Sequence, residues 1–194
     1  MTIEELDEYC FINSNQYFLG YENIEVKRPV LEGIIKRALM HYGNYKPFKY
    51  RKNNFEIITS DTKMKIKEID GRQVQDILEI YFFNPIYGTN CEVSFHWDFD
   101  PRTKILYSQS QGTYLVDFMV RPILDDITYD EELFLQMVLG LYMMYVGEAR
   151  KAFTLDGLPF GNDAEEIYSD GKEIYENALE ELKEDNSSWW MAIK

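Results

Sequence analysis

The strongest candidate for chemistry in this sequence is a histidine that shares one side of a predicted strand with three acids. His96 lies in the alternating segment Cys91–Phe99, and Glu92, Asp98 and Asp100 follow the same two-residue spacing. Carboxylates beside an imidazole can bind a transition metal or transfer a proton. However, the only other histidine lies in a predicted helix, and alternating polar residues are typical of any half-exposed strand. We therefore predict neither a metal site nor a catalytic pair here.

Other catalytic signatures are missing from the sequence. It contains no nucleophile elbow, phosphate-binding loop, dinucleotide fingerprint or zinc-protease motif. Cys10 and Cys91 are too few and too far apart for a disulfide framework or a thiolate metal site, and neither has a histidine at a motif spacing. We predict a protein that is not an enzyme and uses no cofactor or metal. An enzyme whose residues form no recognisable motif is the remaining alternative.

The composition is that of an ordinary globular protein. Of 194 residues, 45% are hydrophobic, 28% are charged and 15% are aromatic, which predicts a sizeable buried core. No uncharged apolar run reaches the roughly 18 residues of a membrane helix, and the acidic start is unlike a signal peptide. We expect a soluble protein in a reducing cytoplasm.

Charge is the most informative global feature. There are 20 basic and 34 acidic side chains, so the formal charge of −14 disfavours nonspecific binding to nucleic acid or anionic membranes. Residues 27–72 hold 12 basic and 5 acidic side chains, whereas residues 130–194 hold 5 basic and 15 acidic ones. The acidic part is a solvated helix face, a nucleic-acid mimic, or one side of a head-to-tail contact between copies that closes a ring. The residues expected on the basic side of that contact are Arg37, Lys49, Arg51 and Lys52.

The N-terminal part, residues 1–45, reads as helical. Thr2 and Glu5 form a capping box that predicts a short helix. A second helix is predicted from Pro29, with apolar residues at helical spacing, and Gly43 is expected to end it.

The middle part, residues 46–122, reads as a sheet. We predict two strands between 48 and 69, possible partners in a hairpin, then strands at 91–99, 104–107 and 114–120 in an antiparallel meander. The segment 73–83 fits a helix or a strand equally well.

The C-terminal part, residues 123–194, reads as a helical pair. Thr128 and Glu131 form a second capping box, Asp156–Pro159 is expected to end that helix, and Asn162 or Asp163 is expected to cap the last one. The predicted fold is a single α+β domain, 1–194, with N-terminal helices, a central mainly antiparallel sheet and a C-terminal helical pair packed on the sheet.

Two features of the C-terminal part are candidates for interfaces. Gly140 and Gly147 lie seven residues apart, on nearly the same helix face, where small residues permit close approach by another helix. Trp189, Trp190 and Met191 form an apolar cluster near the chain end, which either folds back onto its own core or docks on a neighbour.

The segment from Asp125 to Leu182 carries a family resemblance. Its first helix opens with Thr-x-Asp-Glu-Glu, has glycine in its middle and ends with Arg150-Lys151, and its second contains Gly-Lys-Glu. This pair resembles the C-terminal regions of small structural proteins of large tailed bacteriophages, of the neck, head–tail connector or baseplate type.

The resemblance covers about a third of the chain. It implies a virion component assembled as a ring or wedge, without catalytic or ligand-binding residues. The implied partners are other virion proteins and copies of itself, with no membrane and no sequence-specific nucleic acid, in the virion and, during assembly, in the host cytoplasm. The alternative is an acidic inhibitor or nucleic-acid mimic that binds a host defence or regulatory protein.

Overall fold

The computed structural model describes residues 1–14, 26–58, 62–84, 89–152 and 161–192, and for 84, 152, 161–163 and 186–192 it describes the backbone alone. The chain is α+β, as predicted, with helices towards both ends and antiparallel strands between them. The helices are α1 (Ile3–Asn13), α2 (Arg28–Tyr45), α3 (Glu132–Ala152) and α4 (Gly161–Ala192). The strands are β1 (Phe48–Ile57), β2 (Lys63–Lys65), β3 (Glu68–Ile69), β4 (Arg72–Asn84), β5 (Thr89–Glu92), β6 (Trp97–Asp100), β7 (Ile105–Ser108) and β8 (Gly112–Val120).

The chain forms two compact units. The helical unit comprises residues 1–46 and 124–194, and the sheet unit comprises residues 47–123. Each boundary lies one residue from the predicted limit of the sheet-rich part. The helical unit is assembled from both ends of the chain, so the sheet unit is an insertion in sequence. That the two fold as the single domain predicted for 1–194 stays a prediction.

Helix α1 begins as its sequence predicts. The backbone N–H of Glu5 donates to Thr2 Oγ1 at 3.2 Å, and the backbone N–H of Thr2 donates to Glu5 Oε2 at 2.7 Å. This reciprocal capping box satisfies donors that a helix start leaves without partners. Leu6 and Cys10 are the buried residues of the helix.

Helix α2 does not end where the sequence predicts. It continues two residues past Gly43, which is buried within the helix. The cause is tertiary. Tyr42 packs edge-to-face on Phe134 of α3, with ring centroids 5.6 Å apart, and its hydroxyl donates to Glu131. These contacts hold the last turn in helical form and outweigh the weak helix preference of glycine.

The starts of α3 and α4 also differ from prediction. Helix α3 begins at Glu132, so Thr128 lies in the preceding turn, where its carbonyl accepts from the N–H of Glu131 at 3.2 Å. The carboxylate of Glu131 accepts from Tyr42 of α2, a tertiary contact that replaces the predicted capping box. Helix α4 begins at Gly161, ahead of both predicted caps. The predicted break at 156–159 lies outside the described residues.

The sheet unit contains two antiparallel sheets. The first has the order β1-β8-β4-β3, with β5 also pairing with β4, and the second has the order β2-β7-β6. The possible hairpin between 48 and 69 is therefore wrong, because β1 pairs with β8 and β2 pairs with β7. A simple meander is wrong for the same reason, since the order is not sequential. The ambiguous segment 73–83 is a strand, within β4.

The predicted strand 91–99 is divided between the two sheets. Its first part is in β5, which pairs with β4, and its last part is in β6, which pairs with β7. The alternation of burial nevertheless continues across the break, with Asp98 exposed and Phe99 buried. The periodicity indicates which side chains face the core, but it does not determine which strand is the hydrogen-bonded partner. The turn at Asp100 is confirmed, because its carboxylate accepts from the Arg102 N–H at 2.9 Å and from Thr103 Oγ1 at 2.7 Å.

Strand β1 lies at the margin of the first sheet. In the described part of the chain it pairs only with β8, and its register shifts between Lys52 and Phe55, where Asn54 has a φ of 54°. A bulge and cationic side chains are common protections of an edge strand against pairing with another chain.

Candidate interaction surfaces

The structure divides the histidine and its neighbouring acids among three successive segments of the sheet unit. His96 is exposed in the connection between β5 and β6, and Asp100 is used by the turn that follows β6. Among the described residues, no three His, Cys, Asp or Glu side chains come together in a way that could hold a metal ion. The two cysteines belong to different units. Cys10 is buried, and this burial, assisted by Asp7, raises the pKa of its thiol, whereas Cys91 is partly exposed.

A polar cluster of the sheet unit surrounds Asp117. Its side chain is fully buried in β8, and it accepts two hydrogen bonds from Arg51, from Nε at 2.7 Å and from Nη2 at 2.8 Å. Lys49 Nζ lies 2.7 Å from the same carboxylate. The Arg51 hydrogen bonds hold the pKa of Asp117 below its ordinary value, against the effect of burial, and Lys49 adds to this. The cluster therefore binds β1 to β8 through charge-assisted hydrogen bonds.

Lys52, the third residue of β1 that was predicted at the basic interface, is also paired within the sheet unit. Lys52 Nζ lies 2.8 Å from Asp70, which also accepts from the Tyr50 hydroxyl at 2.5 Å. The Arg72 guanidinium lies over the Tyr50 ring, 4.6 Å from its centroid. Lys49, Arg51 and Lys52 thus have carboxylate partners of their own unit, while Arg37 is exposed on α2.

Gly140 and Gly147 lie where the backbones of α3 and α4 approach each other closely. A Cβ at Gly140 would lie 2.6 Å from the carbonyl oxygen of Gly171, and one at Gly147 would lie 2.8 Å from that of Ala164. Position 140 meets 171 and position 147 meets 164, so the two helices are antiparallel. Both glycines are buried against the chain's own helix.

The facing residues of α4 were not singled out from the sequence. Ala164, Gly171 and Ala178 repeat every seven residues, and all three are buried. A Cβ at Gly171 would lie 2.7 Å from the carbonyl oxygen of Gly140. The seven-residue spacing of small residues in both helices is the sequence signal that could have identified them.

The other side of α4 is strongly acidic. Between 165 and 185 it exposes nine carboxylates and two lysines. The carboxylates are those of Glu165, Glu166, Asp170, Glu173, Glu176, Glu180, Glu181, Glu184 and Asp185. Asp185 forms an ion pair with Lys46 at 3.0 Å, and Lys172 lies 3.8 Å from Glu176. The backbone of Trp189, Trp190 and Met191 continues this helix, and their side chains are outside the description.

Basic side chains converge on a cleft of about 720 Å³ in the sheet unit. Its wall includes parts of both sheets and the turn between β6 and β7. The lining residues are Lys65, Lys67, Glu68, Gln73, Val74, Gln75, Arg102, Thr103, Lys104, Ile105 and Arg121. Five of these are cationic and one is anionic. We call this surface the basic cleft.

The ammonium group of Lys104 lies partly buried in the wall of the basic cleft. Its Nζ donates to the carbonyl oxygen of Gln75 at 3.2 Å. Burial lowers the pKa of Lys104, and the positive charge of Arg121 lowers it further, while Asp76 and Asp100 act in the opposite direction. Arg121 Nη1 donates to the side-chain oxygen of Gln73 at 2.7 Å. The two cations repel each other across the cleft wall.

Charge is also divided unequally between the two units. Residues 47–123 contain ten basic and ten acidic side chains, so the sheet unit is neutral. The helical unit contains ten basic and 24 acidic side chains and carries the whole formal charge of −14.

No protein-family model and no curated protein matches this chain. Within the part of the chain that the structure describes, none of the helices has the length and apolar character needed to cross a membrane.

Proposed function

We propose that the protein is a structural subunit of a tailed-phage virion, of the neck, connector or baseplate type, acting through contacts with copies of itself and with other virion proteins. The observation that carries this proposal is the outer side of α4, with nine exposed carboxylates against two lysines. A surface of one charge sign guides association with a complementary surface and sets its orientation.

The inner side of α4 supports the same reading. Between residues 164 and 182 it packs closely on α3, and this contact covers the buried apolar residues of that part of the helix. At ~1.5 Å per residue, its 32 residues form a rod about 48 Å long. A rigid, acidic rod is suited to bind a basic surface of an adjacent subunit.

Sedimentation velocity on the full chain tests the proposal. We expect assembly of several copies at about 50 mM salt and its loss at about 0.5 M, because salt screens exposed charges. Replacing Glu173, Glu176 and Glu180 by glutamine should weaken assembly. Glu56→Gln, Glu92→Gln and Asp98→Asn together remove the same charge from exposed positions of the sheet unit, and should leave it unchanged.

Mass spectrometry of purified virions of the encoding phage is the second test. The proposal requires the protein to be present in the particle at a fixed copy number. A chain that is monomeric at every salt concentration and missing from the particle would overturn it.

The terminal tryptophans need their own test. Deleting Ser187–Lys194 should leave a folded protein that assembles poorly if this segment docks on a neighbour, because chain ends often can be removed without unfolding a core. If the segment packs on its own chain, the deletion should lower the melting temperature and leave association unaltered. Circular dichroism and sedimentation on the same variant distinguish the two.

The acidic side of α4 also favours one other function, inhibition of a host protein by nucleic-acid mimicry. A row of carboxylates can occupy a basic surface that normally binds phosphates. This reading predicts a tight complex with one basic host protein in a simple stoichiometry and no self-assembly, which the same sedimentation experiment would reveal.

A further inference from the structure

We propose that the basic cleft is a binding site for a small ligand that carries a chain of phosphate groups. This inference goes beyond the proposed assembly function and does not depend on it, because the cleft lies in the neutral sheet unit and not on α4.

The first argument is the convergence of cations from separate parts of the chain. Lys65 and Lys67 come from β2 and the residues after it, Arg102 and Lys104 come from the turn between β6 and β7, and Arg121 follows β8. A solvated basic stretch would instead have neighbouring residues on one element. Here the two sheets bring distant cations around one concave space.

The second argument is the electrostatic repulsion between Lys104 and Arg121 in the wall of the basic cleft. Lys104 is partly buried and next to Arg121, an arrangement that costs free energy when both are charged. Asp76 and Asp100 act against this repulsion, but burial and the charge of Arg121 outweigh them, since the pKa of Lys104 is still lowered. An anion in the cleft would relieve the repulsion between the two cations.

The third argument is the contrast with the other basic residues of the sheet unit. Lys49, Arg51 and Lys52 each contact a carboxylate at 2.7 to 2.9 Å. The hydrogen bond that Lys104 Nζ donates is to the neutral carbonyl oxygen of Gln75. This contact orients the ammonium group and leaves its charge available to a ligand.

The shape and lining of the cleft define the ligand. A volume of about 720 Å³ falls in the range of small-molecule sites, roughly 300–1,000 Å³. Arginine and lysine side chains are the usual ligands of phosphate oxygens. None of the described lining residues is aromatic, so they offer no ring on which a base could stack, and they recognise the phosphates by charge. Free polyphosphate and the triphosphate of a nucleotide share this chemistry.

Isothermal titration calorimetry of the full chain with sodium tripolyphosphate, at about 50 mM salt, tests the proposal. We expect saturable binding of one ligand per chain. Lys65→Gln with Lys67→Gln, and separately Arg102→Gln, should each raise the Kd roughly tenfold or more, which corresponds to about 1.4 kcal/mol. These side chains are exposed, so the variants should keep the circular dichroism spectrum of the parent.

Lys63→Gln is the matched control. Lys63 lies on the same strand as Lys65 and is equally exposed, but it is outside the cleft, over the Tyr107 ring. Its loss removes the same charge and should change the Kd less than twofold. Equal weakening by Lys63→Gln would show general charge attraction and overturn the proposal, as would the absence of saturable binding.

A parallel titration with ATP distinguishes the two sources of the ligand. Equal affinity for ATP and tripolyphosphate assigns the cleft to the phosphate chain alone, and tighter binding of ATP assigns it to a nucleotide. If neither binds and the cleft variants instead lose self-assembly, the cleft is a protein contact and the phosphate proposal is wrong.

Discussion

Replacing Gly140 by alanine is the most direct test of the contact between α3 and α4. The added Cβ would lie 2.6 Å from the Gly171 carbonyl oxygen and 2.8 Å from the Tyr175 backbone nitrogen. Ordinary contact begins near 3.4 Å, so the two helices must separate by about 0.8 Å. Both contacted atoms belong to the backbone, and no side-chain rotation relieves the overlap.

Two opposing terms set the size of the effect. Alanine is favoured over glycine in a helix by about 1 kcal/mol, while overpacking a well-filled interior costs about 1–3 kcal/mol. Because a whole helix must move here, we expect the upper part of that range and a net loss of about 1–2 kcal/mol. Gly33→Ala is the matched control, since Gly33 is exposed in α2 and has nothing within 4 Å of the added Cβ. It should stabilise by up to about 1 kcal/mol.

Urea unfolding followed by far-ultraviolet circular dichroism compares the two variants. The unfolding midpoint should fall for Gly140→Ala and rise for Gly33→Ala, with the same dependence on urea in both. A Gly140→Ala variant that is stabilised as much as Gly33→Ala would refute the reasoning, because it would mean that α4 does not lie against this point of α3.

Three further predictions concern Asp117, Tyr42 and the two cysteines. Asp117→Asn should destabilise the sheet unit by about 1–3 kcal/mol at neutral pH. The folded-state pKa of Asp117 is depressed, so its stabilisation is present above the unfolded value of about 4 and is lost as pH falls through the folded value; unfolding curves of parent and variant should converge in acid, and a constant gap would contradict this. Tyr42→Phe should cost about 1–3 kcal/mol in urea unfolding, because it removes a partly buried hydrogen bond to a carboxylate, and an unchanged midpoint would count against that bond. Iodoacetamide should label Cys91 in the native protein and spare the buried Cys10, whose thiol pKa is raised, and peptide mapping that finds equal labelling would show that α1 opens readily.

Local signals predicted the elements, and tertiary contacts decided several of their limits. The capping box of Thr2 and Glu5 is complete within α1, so the sequence alone was sufficient. Gly43 and Thr128 had equally good local signals for a helix end and a helix start. The helix limits predicted from them are wrong because Tyr42 contacts Glu131, in the segment before α3. The division of 91–99 between two sheets could not be foreseen, because alternation is the same whichever strand is the partner.

For the candidate surfaces too, the sequence predicted local features and missed those that depend on tertiary contacts. The spacing of Gly140 and Gly147 predicted a close helix contact, although the facing Gly171 was missed. The basic cleft was not predicted, because cations distant in sequence, such as Lys65 and Arg121, meet only through the strand order. The partners of the basic residues of β1 were hidden for the same reason, since Asp117 is far along the chain and is brought to Arg51 by the pairing of β1 with β8.

The insertion of the sheet unit into the helical unit has a consequence for synthesis on the ribosome. Helices α1 and α2 emerge first, but the apolar faces that bear Leu6, Leu31 and Ile35 join a core with α3 and α4 that is encoded after the whole sheet unit. At about 5–20 residues per second, the ribosome needs roughly 5–20 s to proceed from the end of α2 to the end of α3. During that interval the nascent sheet unit can complete its own core. The apolar side chains of α1 and α2 remain exposed, so they can bind a chaperone or the same helices of a neighbouring nascent chain.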